Sequence, residues 1–409
     1  MKKIINILVF IAISATALYS QGGSNYSVNG FGDLTSSVSA GYNGLAGTQI
    51  AMPSAYMINM RNPAMWSYVQ TTRLQAGYQF NQMFAQNETI SLKQNNGKIS
   101  GVLALFSIDT AMGIGVSFGI HPYSNVNYYL RSPFTVKMEG LEFSGTSTYI
   151  GEGGLTLAYL GASTKIYKGL TAGAEIFSTI GSISYKTTTV VSGDNNYPGI
   201  NEKFDRFYGL GFKGGLSYNF PFGLYLGLCG EYHSSLNYDR DIIYSSQTIS
   251  DSVTSTVNKL KVPASIGFGA AYKTGKFLIG FDFTSQNFSN FDYQRGSEVK
   301  FTNNNNFSIG FSRLGSKTYS ADFLDKVSYN IGFGYNQLHY TVKGTQINDL
   351  YGSIGLEMPI VSGTMLNTAL QIGTRGQTGN GLIKENYGKL TIDISVGDNW
   401  FKPFKRDYE

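Results

Sequence analysis

The sequence is short of charge. Asp, Glu, Lys and Arg make up 14% of its 409 residues, against roughly 25% in an average soluble domain. It has one cysteine, Cys229, which excludes a disulfide framework and a thiolate metal cluster. Beyond the first twenty residues no stretch approaches the ~18 consecutive apolar residues of a membrane helix. No run of Lys and Arg gathers the net charge of +5 into a patch for nucleic acid. The three histidines, His121, His233 and His339, are dispersed without ligand spacing. Neither a metal nor a cofactor is expected, and nucleic acid is not an expected partner. What fills the space is glycine (50), tyrosine (29) and phenylalanine (27), at a mean hydropathy of −0.11. Such a chain suits many strands, one face of which need not meet water.

Lys2 and Lys3 precede an apolar run from Ile4 to Leu18 that ends in small residues before Gln21. This is the pattern of a secretory signal peptide over residues 1–20, which predicts an exported protein.

From about Thr71 onward the chain falls into short alternating segments. Met112, Ile114, Val116, Phe118 and Ile120 alternate with Gly113, Gly115, Ser117 and Gly119, a period of two that fits a strand and excludes a helix. The same alternation recurs around Tyr208–Tyr218, Leu224–His233, Val327–Tyr335 and Leu390–Val396. Tight turns read at Asp109-Thr110, Tyr167-Lys168-Gly169, Pro221-Phe222-Gly223, Thr274-Gly275 and Val361-Ser362-Gly363. Between them lie polar stretches around 81–97, 121–151, 186–205, 241–260 and 285–304, expected to be long loops. Short turns at one end and long loops at the other describe an outer-membrane barrel, and the connections divide it into about 14 strands.

The fold class expected is therefore all-β: a transmembrane antiparallel β-barrel, closed because an open sheet edge in hydrocarbon leaves unpaired backbone groups. A charge on its lipid face at mid-membrane costs roughly 2–4 kcal/mol. Glu175, Lys213, Glu231, Asp282, Glu357 and Asp393 all fall on the non-apolar face of their strands, which places them in the lumen. Arg73 and Lys273 join them, so the lumen charge is mixed and gives no reason to expect ion selectivity. Residues 21–69 show no period of two and are expected to form a hatch or plug inside the barrel, where inward glycines let another backbone approach closely. The barrel is expected over 70–401, with a periplasmic tail at 402–409 and both termini periplasmic.

Gly44-Leu-Ala-Gly47-Thr-Gln-Ile-Ala51, followed by Arg61-Asn62-Pro63-Ala64 and a first strand, resembles the N-terminal hatch of the FadL/OmpP1/TodX family of outer-membrane transporters. The segment Leu382–Tyr387 through Gly397–Phe401 resembles the endings of FadL-like barrels, although Lys402–Glu409 follow Phe401. The residues before the Asn62-Pro63-Ala64 motif, Met52 to Met60, lack the acidic side chains that the family pattern leads one to expect. The resemblance implies passive transport of long-chain fatty acids or hydrocarbons, with a hatch that moves and a sideways exit at a kink in the third strand. It makes Gly113, Gly115 and Gly119 a candidate lateral-gate strand. Tyr123, Tyr128, Tyr129 and Phe134 become candidates for loop capture of a hydrophobic small-molecule ligand, or members of the aromatic girdle of any barrel.

Two motifs point to chemistry the context does not support. Gly115-Val-Ser117-Phe-Gly119 matches a nucleophile elbow, and Gly209-Leu-Gly211-Phe-Lys-Gly214 a dinucleotide fingerprint. Each lies inside an alternating strand, where the turn and helix those sites need are missing. No enzymatic activity is expected. Two other functions remain open beside transport. One is an interaction component of a secretion system with protein partners on its extracellular loops. The other is a general porin.

Overall fold

The computed structural model describes residues 23–400 apart from 89, 193–197, 247–249, 255–256 and 319. The expected signal peptide, the residue Phe401 and the tail lie outside the described residues.

Fourteen antiparallel strands close into a barrel. They are β1 (Thr72–Gln86), β2 (Ser91–Asp109), β3 (Ile114–Pro122 continuing as Ser124–Met138), β4 (Leu141–Tyr167), β5 (Leu170–Val191), β6 (Gly199–Asn219) and β7 (Leu224–His233 with Leu236–Ser245). The circuit goes on through β8 (Ser250–Thr254, Asn258–Leu260 and Ser265–Thr274), β9 (Phe277–Asn287), β10 (Val299–Phe301 with Asn303–Arg313), β11 (Ser328–Val342), β12 (Thr345–Val361), β13 (Thr364–Arg375) and β14 (Lys384–Asp398). Each pairs with the next, and β1 pairs with β14 from Thr72↔Asp398 to Gln86↔Lys384, which removes the sheet's two edges.

Period-two alternation decides which side chain faces where. Phe118 and Ile120 on β3, Leu210 and Phe212 on β6, and Ile394 and Val396 on β14 are exposed on the outside. Large apolar side chains stand outward on every strand, as a wall against lipid requires. The predicted lumen charges Arg73, Glu175, Lys213, Asp282, Glu357 and Asp393 are all buried, and Glu231 is nearly so. Lys273, on the same face as buried Ala271, is exposed where it lines the turn-side mouth of the lumen. On β2 the phase shifts: Ser100 and Gly101 are both buried while Ile99 and Val102 both face out. That two-against-one arrangement opposite the Gly77/Tyr78 register shift is a β-bulge, and it makes the alternation of this strand hard to phase.

All five predicted tight turns fall between strands at one end of the barrel. The long loops expected at the other end are mostly not loops. Residues 121–151 form the continuation of β3 and the start of β4, joined by a two-residue turn in which Glu139 and Gly140 have φ of 50° and 82°. A second such turn, Lys343-Gly344, joins β11 to β12. Positive φ at both positions matches the right-handed twist of a hairpin. At 27 residues β4 runs about 90 Å, several times the ~25 Å apolar band of a barrel. Beyond the membrane both faces of a strand meet water, so the polar stretches pair without hydrophobic alternation. Among the predicted loops, 285–304 comes nearest to expectation, with irregular chain between β9 and β10.

Candidate functional site

Residues 23–71 pack against the inward faces of strands all round the barrel. Three strand carboxylates hold this segment by its main chain. Asp282 of β9 accepts the N–H groups of Gln49 and Ile50 at 2.6 and 2.8 Å. Asp393 of β14 accepts the Ala40 N–H and the Ser39 hydroxyl. Glu385, also of β14, accepts the Asn25 N–H and the Ser24 hydroxyl, both at 2.7 Å. A buried carboxylate is costly unless hydrogen-bonded, so each contact fixes strand and segment together.

Glycines let the backbones meet. A Cβ on Gly332 of β11 would lie 2.3 Å from the Leu45 carbonyl carbon, and one on Gly173 of β5 would lie 2.4 Å from that of Pro63. The predicted motif sits at this second contact. Asn62 Oδ1 accepts the Ala64 N–H and caps the short 3-10 helix Pro63–Tyr68, while Nδ2 donates to the carbonyls of Ile50 (2.8 Å) and Leu216 (3.1 Å). Pro63 occupies the first helical position, where a missing N–H costs nothing. Asn62 and Ala64 are fully buried.

The wall opens between β2 and β3. β2 and β3 pair from Asp109↔Ile114 to Val102↔Ile120. Above that level β2 stays with β1 and β3 stays with β4, and among the described residues no β2–β3 pair continues. The interruption falls at Pro122-Tyr123, where proline has no N–H for a ladder. The N-terminal segment lines the bared edge of β3: Asp33 and Leu34 pair with Asn125 and Ser124, and the Gly23 N–H donates to the Asn127 carbonyl at 2.9 Å. Ser27 Oγ accepts the Asn127 N–H, and Thr35 donates to the Tyr123 carbonyl.

The candidate gate glycines are spread over this strand. Gly113 lies in the turn before it with φ of 62°, and Gly115 and Gly119 lie where β3 is paired on both sides. The four candidate capture aromatics are not brought together. Tyr128 is buried inside, Tyr129 faces outward and Phe134 stands further along β3. Tyr123 points into the lumen, where its hydroxyl accepts from Gln286 Nε2 at 3.3 Å and its ring lies 5.1 Å from that of His233. The elbow-like Ser117 is inside β3, with its hydroxyl donated to the Ala104 carbonyl and 2.9 Å from the Tyr159 hydroxyl.

Two features of the lumen go beyond the sequence reading, an apolar core and the pairing of charges that alternation had only turned inward. The loop-side half holds an apolar core centred on Phe31, whose ring lies 4.9 Å from Phe291, 5.4 Å from Tyr293 and 5.8 Å from Phe207. Below it Lys213 bridges Glu175 (3.2 Å) and Glu231 (3.3 Å) and donates to the Met60 carbonyl, while His233 contacts Glu231 at 2.9 Å. Small cavities lie between this segment and the wall. One of about 80 Å³ is lined by Arg61, His121, Tyr123, Lys213 and Glu231. Another, of about 200 Å³, lies at the turn-side mouth among Tyr42, Tyr56, Tyr68 and Tyr225. A third, of about 70 Å³, lies behind the opening between β2 and β3.

A closed 14-stranded barrel with an apolar exterior and a lumen filled by its own N-terminal segment is an outer-membrane-type transmembrane barrel with the FadL-like architecture. It is similar in fold to a Pseudomonas aeruginosa FadL homologue, with a TM-score of 0.63 and 10% identity over 90% of this chain and 100% of that one. The CymD monoaromatic hydrocarbon channel aligns with a TM-score of 0.61 and 14% identity, over 90% and 99% of the two chains. The Ralstonia pickettii toluene transporter TbuX aligns at 0.57 and 14%, over 87% and 97%. No curated protein matches the sequence. The chain belongs to the BamG family, whose model matches residues 1–408.

Proposed function

We propose that the protein is a passive, non-catalytic conduit in the outer membrane for hydrophobic or amphipathic small molecules, of the long-chain fatty acid or hydrocarbon class, with a sideways exit between β2 and β3. The observation that carries this is the divergence of those strands above Val102↔Ile120, with a segment of the same chain, and not a strand of the wall, along the bared edge. A strand edge left without partners costs several kcal/mol per group where water is excluded, and here the N-terminal segment supplies the partners that β2 does not. The fold neighbours whose names state hydrocarbon or toluene transport lend support. In this scheme the three carboxylate contacts hold the N-terminal segment as a hatch, and its withdrawal frees the opening.

A second role, as an interaction component, is favoured by the length of β4, β5 and β6, 27, 22 and 21 residues, which raises one side of the wall beyond the apolar band. Two measurements separate the roles. Deleting residues 21–68 should raise single-channel conductance in a planar bilayer, and unchanged conductance would refute the hatch. Loss of the whole protein should lower cellular uptake of radiolabelled oleate or toluene. Unchanged uptake with a growth or surface-assembly defect would favour the interaction role.

A further inference from the structure

The cavity behind the opening carries two lysines that, among the described residues, no carboxylate contacts directly. Lys98 projects inward from β2 and Lys389 from β14, and both line this space with Gln79, Asn81, Gln94 and Asn96. In the sheet register Lys98 lies opposite Gln79, and Lys389 opposite Asn81, both on the intervening β1. Two strand spacings across the sheet and two residues along it, about 12 Å in all, separate their backbones, so the long side chains reach into one chamber from its two sides.

The neighbouring charges are already committed. Arg375 is bound by Asp33 at 2.7 Å and by Asp349 at 3.0 Å. Asp349 also accepts the Tyr387 hydroxyl, and Glu385 is held by Ser24 and Asn25. Among the described residues neither Lys98 nor Lys389 has a hydrogen-bond or ion-pair partner. Lys389 lies over the Tyr387 ring, 4.4 Å from its centroid, attracted at longer range by Asp349, Asp33 and Glu385 and repelled by Arg375, and Lys98 feels the repulsion of Lys389 together with the attraction of Asp33. Asn81 Oδ1 and Gln94 Oε1 are also buried without a partner. Buried polar atoms rarely stay unsatisfied, so this chamber takes up water or a polar group and not hydrocarbon.

We infer that Lys98 and Lys389 form a binding site for a carboxylate or phosphate group that enters between β2 and β3. The two ammonium groups supply charge-assisted donors to the oxyanion, and a cavity of about 70 Å³ admits a single such group and leaves any attached chain outside it. For its route of entry the site rests on the lateral opening proposed above, and it narrows the cargo to amphiphiles with an acidic head. The lysine pair itself stands independently of transport.

The test is isothermal titration of the full-length protein in dodecyl maltoside and chloride-free buffer, with inorganic phosphate and with dodecyl phosphate as probes. Binding of both probes identifies a site open to free anions, and binding of dodecyl phosphate alone identifies a headgroup site. In either case Lys98→Gln and Lys389→Gln should each weaken binding about tenfold, the size of a lost hydrogen bond to a charged group. The Lys98→Arg/Lys389→Arg variant, which keeps both charges in place, should bind, and Lys137→Gln on the exposed hairpin should change nothing. Failure of both probes to bind, or undiminished binding in the doubly neutralised variant, would overturn the site. Binding that persists in a protein shown not to support uptake would sink the conduit and leave the site standing.

Discussion

Leu34 pairs with Ser124 at the point where β3 has lost its partner β2. A strand edge that a barrel would otherwise close is covered by two residues of the segment that fills its lumen. If the segment must leave for the opening to form, fixing this pair should close the protein.

Cysteines at 34 and 124 make that test. Antiparallel partners lie about 4.5–5.5 Å apart at Cα, within disulfide range. The native Cys229 is buried and does not compete. Leu34→Cys/Ser124→Cys should form a disulfide after export, and uptake should fall under oxidising conditions and recover with dithiothreitol. Full uptake by the demonstrably cross-linked protein would show that the opening does not depend on withdrawal of this segment.

The Asp282 contact offers a weaker perturbation. Asp282→Ala removes the acceptor of two main-chain N–H groups, and each buried donor left unmet costs about 1–3 kcal/mol. Because the barrel's own ladders are untouched, the loss should appear locally. Hydrogen exchange should quicken across residues 47–52 while β8 and β9 stay protected. Equal exchange in variant and parent would mean that the carboxylate does not hold the segment.

Gly332 tests why so many glycines face inward. With a Cβ 2.3 Å from the Leu45 carbonyl carbon, Gly332→Val forces one backbone aside, and overpacking of this kind costs about 1–3 kcal/mol. The thermal midpoint of the full-length protein should fall. In a protein lacking residues 21–68 the same substitution should be neutral, because the atoms it strikes are gone. A fall of the same size in both backgrounds would tie the glycine to the strand itself.

The strands that face lipid were legible because the membrane imposes a rule on every second residue. Leu210 and Phe212 out with Lys213 in cannot be phased any other way without a charge in hydrocarbon. Where the wall leaves the membrane that rule lapses, and Leu141–Thr146 or Gly199–Asp205 read as loops although they are paired strand. Asn62 was found by its motif, but its bonds to Ile50 and Leu216 depend on how distant segments meet and leave no spacing behind. The interruption at Tyr123 did have a signal. Pro122 ends a well-alternating strand and has no N–H to continue it. The lysine pair had none, because Lys98 and Lys389 become neighbours only when β14 closes against β1.

The loop-side aromatic core gives a last test, of whether this lumen takes apolar ligands at all. Phe31 is almost fully buried against three rings, and its removal should cost about 3–5 kcal/mol. The space left would be lined by Phe207, Phe291 and Tyr293, and an apolar cavity of that kind stays dry and accepts small hydrocarbons. Phe31→Ala should therefore be destabilised, and benzene or toluene should raise its thermal midpoint while leaving the parent unchanged. Ligand that binds the folded form alone stabilises it by mass action, so the shift should grow with hydrocarbon concentration. If the variant is destabilised but blind to benzene, the core collapses around the missing ring. Its aromatic side chains then serve to seat the N-terminal segment and not to receive cargo.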